Sequence, residues 1–409
     1  MTQTQHHDIV VIGAGIAGAS IANEILARGH AVCVVEGAAT PATGCSSHAY
    51  AIAHPHIARG SPKLLQLTRI GFALAVARWG KQWNHKGILQ PAKKGHTFDV
   101  GVMGDHLEAL GLDPKMAKAV NAATAKKYSG IARAGVWFPD GGMLNLAESC
   151  KALLNQHSKL NCMYGTSVAA IKEDGDHWIL VDEDGRDWVR AKQVIVAAGL
   201  NTKPLLASVQ IKLPLKPVRG QLSFFKINTT STWAAHLPSA IICGDGYCLP
   251  AERSEKNAIR WMVGSSFDEN DDDVEPRTTS DCFNQEQAAG LLDFDEGDRS
   301  ELIPDGQFVG VRCVAGDRLP IIGALPQRPG IFVATAFGSR GILWSALAAK
   351  LIADQALAGD FALLTRLGFT ADLAAALAPD RFLAGALPPS LGALASNSKP
   401  IFPSGPKAK

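Results

Sequence analysis

The run Gly13-Ala14-Gly15-Ile16-Ala17-Gly18 follows directly on the β-branched stretch Asp8-Ile9-Val10-Val11-Ile12, and Glu36 stands 18 residues beyond the third glycine. Glycines at this spacing, between a strand and a helix, suit the diphosphate of a dinucleotide. The first makes the tight turn, the second admits the phosphates against the backbone, and the third lets helix and strand pack closely. Free N–H groups and the positive end of the helix hold the negative charge. An acid at the end of the second strand, here Glu36, can accept hydrogen bonds from the adenosine ribose hydroxyls. The glycine run alone is a weak signal. Its strength comes from the order strand, loop, helix, strand, acid.

That fingerprint serves NAD and FAD alike, and two distant segments favour FAD. Gln193-Val194-Ile195-Val196-Ala197-Ala198-Gly199 is an apolar strand ending in small residues, which lets a cofactor lie against the backbone. Gly330 to Ala336 is a second buried strand, leading through Phe337-Gly338-Ser339-Arg340-Gly341-Ile342 into a helix predicted over Leu343–Leu357. The N-terminus of that helix can face the flavin edge where negative charge gathers on reduction. Between these, Gly44, Cys45, Ser46, Ser47 and Ala49 form a small, hydroxyl-rich stretch suited to wrapping a diphosphate. His48, His54 and His56 are secondary candidates in the same region. The eight cysteines are scattered with no CxxC pair, so no metal site is expected and free thiols are the simpler reading.

The elements that must position these residues are those of a folded, multi-domain protein. The 409 residues are 47% hydrophobic and 19% charged, which excludes disorder as the main state and fits two or three domains. The N-terminus lacks the basic and apolar stretches of a secretory signal, and no run is long and apolar enough to span a bilayer, so a cytoplasmic protein without a membrane partner is expected. The net charge of +2 announces no polyanionic partner. Its distribution is less even. From Arg78 to Arg133 ten basic residues stand against four acidic ones, while from Asp268 to Asp305 fourteen acids stand against Arg277 and Arg299. Such blocks are commonly solvated faces, and the basic one also suits a nucleic acid. Trp79 and Trp83, at i and i+4 on a predicted helix beside Lys81 and Lys86, could stack on a base, although core packing is the preferred reading. The tail from Ser396 to Lys409, rich in Ser, Pro and Lys, is expected to be mobile.

Further short motifs carry a family resemblance: Gly141-Gly142-Met143-Leu144-Asn145, Pro217-Val218-Arg219-Gly220-Gln221, Gly246-Tyr247-Cys248-Leu249-Pro250, Val311-Arg312-Cys313 with Asp317-Arg318-Leu319-Pro320-Ile321-Ile322-Gly323, Gly338-Ser339-Arg340-Gly341, and Arg381-Phe382. With these, about Asp8 to Phe382 resembles the D-amino acid oxidase (DAO) superfamily of flavoproteins, and most closely the C-terminal FAD-dependent oxidoreductase domain of the bifunctional tRNA-modifying MnmC proteins. The implied fold is α/β: a Rossmann-like FAD-binding domain with a discontinuous β-sheet substrate domain of α+β type, as in glycine oxidase. The FAD domain is expected from 1–85, 145–215 and 310–360, the substrate domain from 86–144 and 216–309, and a C-terminal helical extension and tail from 361–409. Alternation in Gln221–Ile227 and Ile259–Ser265 predicts a mixed or antiparallel substrate sheet.

The resemblance also implies roles. FAD is held by Gly13, Ala14, Gly15, Ile16, Ala17, Gly18, Glu36, Gly44, Cys45, Ser46, Ser47, Ala49, Val168, Ala197, Ala198, Gly199, Gly338, Ser339, Arg340, Gly341 and Ile342. Arg312, Arg340 and Tyr247 are the expected catalytic residues, with Arg312, Tyr247 and Arg219 on the substrate and Arg312 on its carboxylate. The implied substrate is 5-carboxymethylaminomethyl-(2-thio)uridine at the tRNA wobble position, oxidised at its glycine-like CH2 and hydrolysed to 5-aminomethyl-(2-thio)uridine and glyoxylate. Two alternatives are a glycine/sarcosine-type oxidase of free amines and a non-catalytic FAD-containing tRNA-binding module. The fingerprint begins at residue 13, so no methyltransferase domain is expected ahead of it, and a separate tRNA methyltransferase is the expected next enzyme.

Overall fold

The computed structural model describes residues 4–58, 61–155, 157–255, 257–292, 294 and 299–383. The Ser396–Lys409 tail lies outside the described residues, and the C-terminal extension is described as far as Leu383. Two β-sheets organise the chain. At the heart of the first, β1 (Gln5–Ile12) leads through the glycine loop into α1 (Ile16–Ala27) and returns in β2 (Val32–Glu36). Strand β1 pairs in parallel with β2 on one side and with Asp187–Val196 on the other, and the latter pairs in parallel with Ile331–Thr335. Val10, Val11, Val34, Val194, Ile195 and Val333 are fully buried. Near-continuous apolar runs are what a parallel sheet covered on both faces requires.

Helix α1 and the long helix Gly341–Ala356 lie side by side over one face of this sheet, sharing a core that includes Ile21, Ile25, Leu347 and Ile352. One buried acid ties the helices together. Glu24 accepts from Lys350 Nζ at 2.7 and 2.8 Å and from Arg28 Nε at 3.1 Å. Such a cluster holds its geometry because breaking it strands a charge in the interior. Beyond the helix, Ala362–Arg366 and Ala371–Leu377 follow, and Arg381 closes the extension back onto the sheet. Its Nε donates to Asp317 Oδ2 at 2.8 Å, and its other nitrogens reach the carbonyls of Leu319, Pro320, Leu377 and Ala378.

The second sheet is built around a two-stranded ribbon, Leu215–Asn228 against Ile303–Ala315, antiparallel and in register from Leu215↔Ala315 to Lys226↔Ile303 across one bulge. Leu215 and Ala315 sit in the core of the first sheet, whereas Leu222 and Phe224 sit in that of the second. Ala258–Gly264 pairs antiparallel with the ribbon, as its alternation suggests, with Ile227 opposite Ile259. The short strand Ala51–Ala53 also belongs to this sheet, where it pairs with Gly142–Leu144. The predicted tryptophan pair is not on one helix. The helix Pro62–Trp79 is capped by Gly80, so Trp79 is buried in the core, while Trp83 lies in the following loop and donates to the Asp140 carbonyl at 3.1 Å.

Candidate active site

A cavity of about 870 Å³ runs between the two sheets, near the upper end of the range for ligand pockets. The glycine loop forms one end. Gly13 has φ +106°, and a Cβ there would approach the Ala197 carbonyl to 2.6 Å, so only glycine lets the loop lie against the 197–199 turn. Gly13 N–H donates to Val35 O, and Ile16 N–H at the start of α1 donates to Ser46 Oγ at 2.9 Å. Glu36 braces the loop from the second strand. Its Oε2 accepts from Ala14 N at 2.8 Å and its Oε1 from Ala38 N at 3.0 Å, and each carboxylate oxygen keeps a further lone pair for a ribose hydroxyl. The N-termini of α1 and of Gly341–Ala356 both open on the cavity, where oriented N–H groups favour anionic or electron-rich groups. This cradle fits FAD: an anion-binding loop, a ribose-binding acid and a second helix end some 300 residues later in the chain.

Around the other end stand two guanidinium groups. Arg312 donates through Nη2 to Ser265 Oγ at 2.7 Å and through Nη1 to the Arg219 carbonyl at 3.5 Å. Gly220 makes room for it, since a Cβ at that position would fall inside the guanidinium. Arg340, capping the helix Gly341–Ala356, donates to His56 Nδ1 at 3.4 Å. Burial lowers the pKa of both arginines from its ordinary value, yet both stay charged. Among the described residues neither has a carboxylate within ion-pair distance. Two half-buried, uncompensated cations facing one cavity call for an anion.

Tyr247 and three histidines complete the lining. Burial, then the Arg312 charge, pushes His48 down to about 3. Burial first, then Arg340, pushes His54 to about 4 and His56 to about 3. All three rings are therefore neutral near pH 7. Tyr50 N–H donates to His48 Nδ1 at 3.1 Å, which assigns the ring proton to Nε2. His48 Nε2–H then donates to Tyr247 Oη at 3.0 Å, and Tyr247 in turn donates to the Tyr50 carbonyl at 3.2 Å. Phe308 stacks on the His48 ring at 5.0 Å.

The cavity brings together Gly13, Gly15, Ile16, Ala17, Glu36, Gly44, Cys45, Ser46, Val168, Ala197, Ala198, Gly199, Tyr247, Arg312, Gly338, Ser339, Arg340, Gly341 and Ile342. It does not gather Ala14, Gly18, Ser47, Ala49 or Arg219. Ala14 acts through its N–H on Glu36, Gly18 packs inside α1 against Gly13, and the Ser47 hydroxyl turns back to the Gly44 carbonyl. Arg219 corrects the expectation of substrate contact. Strand alternation places Gly220 and Leu222 on the cavity face and Arg219 and Gln221 on the other. There Arg219 is fully buried, held by Asp268, Ser280, Gln221 and the carbonyls of Asp273 and Glu275. His48, Ser265, Phe267 and Phe308 line the cavity, and only His48 was singled out beforehand. Ser265 ends the strand expected from alternation and Phe267 adjoins the acidic block, but neither these patterns nor the sequence around Phe308 indicates which side chains face the cavity, so only the three-dimensional pairing of strands reveals them.

A family described as "DAO: FAD dependent oxidoreductase" matches residues 8–355. Among curated proteins the chain is 32% identical over 413 residues to the tRNA 5-methylaminomethyl-2-thiouridine biosynthesis bifunctional protein MnmC of Ralstonia nicotianae, covering 92% of this chain and 60% of that protein. The protein of the same name from Burkholderia multivorans is likewise 32% identical, with 92% and 59% covered. The chain thus spans about 60% of the length of the curated relatives it matches. Among solved structures, the glycine oxidase of Geobacillus kaustophilus superposes with a TM-score of 0.68 at 22% identity, covering 90% of this chain and 99% of that one. The L-proline dehydrogenase of P. horikoshii superposes with a TM-score of 0.70 at 17% identity, covering 94% and 100%. These likenesses concern the fold.

Proposed function

The chain belongs to the DAO family of FAD-dependent oxidoreductases, and from that premise we propose that it oxidises the carboxymethylaminomethyl arm of a tRNA wobble uridine, releasing glyoxylate and leaving the 5-aminomethyl base. The observation that carries this reading is the pair of guanidinium groups, Arg312 and Arg340, that have no carboxylate partner among the described residues and share a cavity with the diphosphate loop. Bound FAD supplies the two-electron acceptor for a C–N bond. Arg312, fixed by Ser265, clamps the arm's carboxylate through its planar fork. That anchor holds the CH2–NH portion inside the cavity that would hold FAD. The hydroxyl of Tyr247, held by neutral His48, stands ready to swing from the Tyr50 carbonyl to the bound carboxylate.

The same charges set the protonation of the amine. Two guanidinium groups in a half-buried cavity disfavour a third cation, so the secondary amine binds in its neutral form and its lone pair is available for oxidation. The neutral histidines add no opposing charge, and no dedicated general base is required. For the tRNA, the basic segment reaches the rim: Lys93 pairs with Asp245, which lines the cavity, at 3.2 Å. Lys81, Lys115, Lys126 and Lys127 lie on the same stretch of chain and suit backbone phosphates. Such a substrate implies work in the cytoplasm and a separate methyltransferase acting on the aminomethyl product. No helix among the described residues is long and apolar enough to cross a membrane.

The glycine oxidase-like fold favours a second reading, oxidation of free glycine or sarcosine. Anaerobic bleaching of the yellow protein separates the two. On the tRNA reading, tRNA bearing the carboxymethylaminomethyl group bleaches the flavin and yields glyoxylate, free glycine and sarcosine do not, and Arg312→Ala abolishes the response. Bleaching by the free amino acids alone overturns the tRNA reading. Tight tRNA binding without bleaching by any of these amines leaves a non-catalytic module.

A further inference from the structure

Phe267 stands at the rim of the cavity with 49% of its surface exposed, a large apolar side chain left open to water. It is not carried on a loose loop. The strand before it ends at Gly264, and the short strand Asp268–Glu269 follows it at once. On one side Ser265 is bonded to Arg312. On the other, Ser266 is buried, donating its N–H to the Gln221 carbonyl at 3.2 Å and accepting the Gln221 N–H at 3.1 Å, while Asp268 is ion-paired with buried Arg219 at 3.2 Å. The far-side network of Arg219 therefore pins the segment that presents Phe267. The ring lies 5.7 Å from the Arg312 guanidinium, and among the described residues no aromatic ring packs on it, whereas Phe308 is already stacked on His48.

A rigidly held, exposed aromatic face beside a carboxylate clamp matches one kind of ligand: a flat base carrying an anionic arm. From the base carbon to the carboxyl carbon the carboxymethylaminomethyl arm has four single bonds, about 5 Å when extended. A carboxylate seated on Arg312 leaves the base within reach of Phe267, outside the narrow part of the cavity. A free amino acid fills the clamp without meeting that ring. We propose that Phe267 is a specificity-determining residue, the platform on which the pyrimidine base stacks while its arm enters the cavity. The inference rests on the tRNA reading above. It adds a recognition element for the base itself, separate from the clamp for the arm. Stacking of this kind tolerates both the oxo and the 2-thio base, because each presents a π-face.

The test uses the FAD-loaded protein and an anticodon stem-loop bearing the modified uridine, with binding read by fluorescence anisotropy on enzyme held in the reduced state, and turnover read separately. Phe267→Ala and Phe267→Leu are expected to weaken stem-loop binding roughly 5- to 100-fold, with the loss falling on KM more than on kcat. Phe267→Trp restores it. Flavin content and melting temperature check that each variant is folded. Wild-type affinity in Phe267→Ala, or in Phe267→Leu, overturns the stacking role, since leucine keeps the apolar bulk and removes the ring. If the wild-type protein oxidises sarcosine but neither binds nor oxidises the stem-loop, the tRNA reading itself fails and takes this inference with it. Loss of Phe267 dependence alone leaves that reading standing.

Discussion

Gly220→Ala is expected to damage the site as severely as a change in the clamp itself, because the added methyl displaces the Arg312 guanidinium from its place across the strand. A shift of that size costs about a hundredfold in kcat/KM, with FAD content unchanged; unaltered kinetics would show that Arg312 does not hold the substrate. Arg312→Ala leaves a substrate carboxylate without its partner, a loss of about 2–5 kcal/mol in transition-state binding, and Arg312→Lys recovers only part because ammonium lacks the planar fork. Steady-state kinetics with the preferred substrate checks both. At this scale the sequence was legible unevenly. Pro217-Val218-Arg219-Gly220-Gln221 drew notice as a motif, yet which of its residues faces the substrate depends on strand phase. Gly220, not Arg219, turned out to touch the cavity, and the arginine serves the opposite face.

The strand–loop–helix unit around β1, α1 and β2 shows the opposite case. Its order and its acid could be read almost directly, because a diphosphate loop imposes a local geometry on consecutive residues, although β1 begins at Gln5, three residues before the apolar run, and α1 already starts at Ile16 within the glycine run. Glu36 nonetheless does more than its position announced. By accepting from Ala14 and Ala38 it braces the loop itself, while its remaining lone pairs stay open to a ribose hydroxyl. Glu36→Ala is therefore expected to weaken FAD retention by roughly 1–3 kcal/mol, measured as FAD release on dilution or by titration of the apoprotein. Undiminished retention would mean that the loop is held by its other contacts, such as Ser46 on Ile16.

The two sheets, and the cavity between them, respond to acid as one body. His48, His54 and His56 are held neutral at about 3, 4 and 3, well below the ordinary histidine value of 6.5. Below pH 6.5 the unfolded chain therefore binds more protons than the folded one. The stability contribution of keeping these rings neutral is complete above pH 6.5 and drains away as pH falls toward 4. The melting temperature is expected to decline across pH 6.5 to 5, and to decline less in a variant with these histidines replaced by glutamine. A flat profile in that window would contradict the burial of the three rings. The Arg381–Asp317 tie makes a second prediction for the whole chain. Arg381→Ala should lower stability by about 2–3 kcal/mol, seen in denaturant unfolding, by freeing the extension from the turn it closes. Both residues stood in motifs noticed in the sequence, 64 positions apart, but nothing in either motif indicated that they meet. The acidic block from Asp268 onward was equally opaque: Asp268 anchors Arg219, and Asp271 and Asp273 bind Arg277.

The strand order of the first sheet also dictates a sequence of events in time. Strand β1 is made first, yet its neighbour Asp187–Val196 is synthesised some 180 residues later, and Ile331–Thr335, which completes that side, later still. A strand flanked only by β2 and covered only by α1 lacks its other neighbour, and the glycine loop cannot settle against the Ala197 carbonyl until that turn exists. Arg340 and the second helix end emerge only after both. On the ribosome, where residues appear at about 5–20 per second, the nascent chain thus spends many seconds with its dinucleotide fingerprint exposed but unformed, and FAD joins only when nearly all of the described chain has been made.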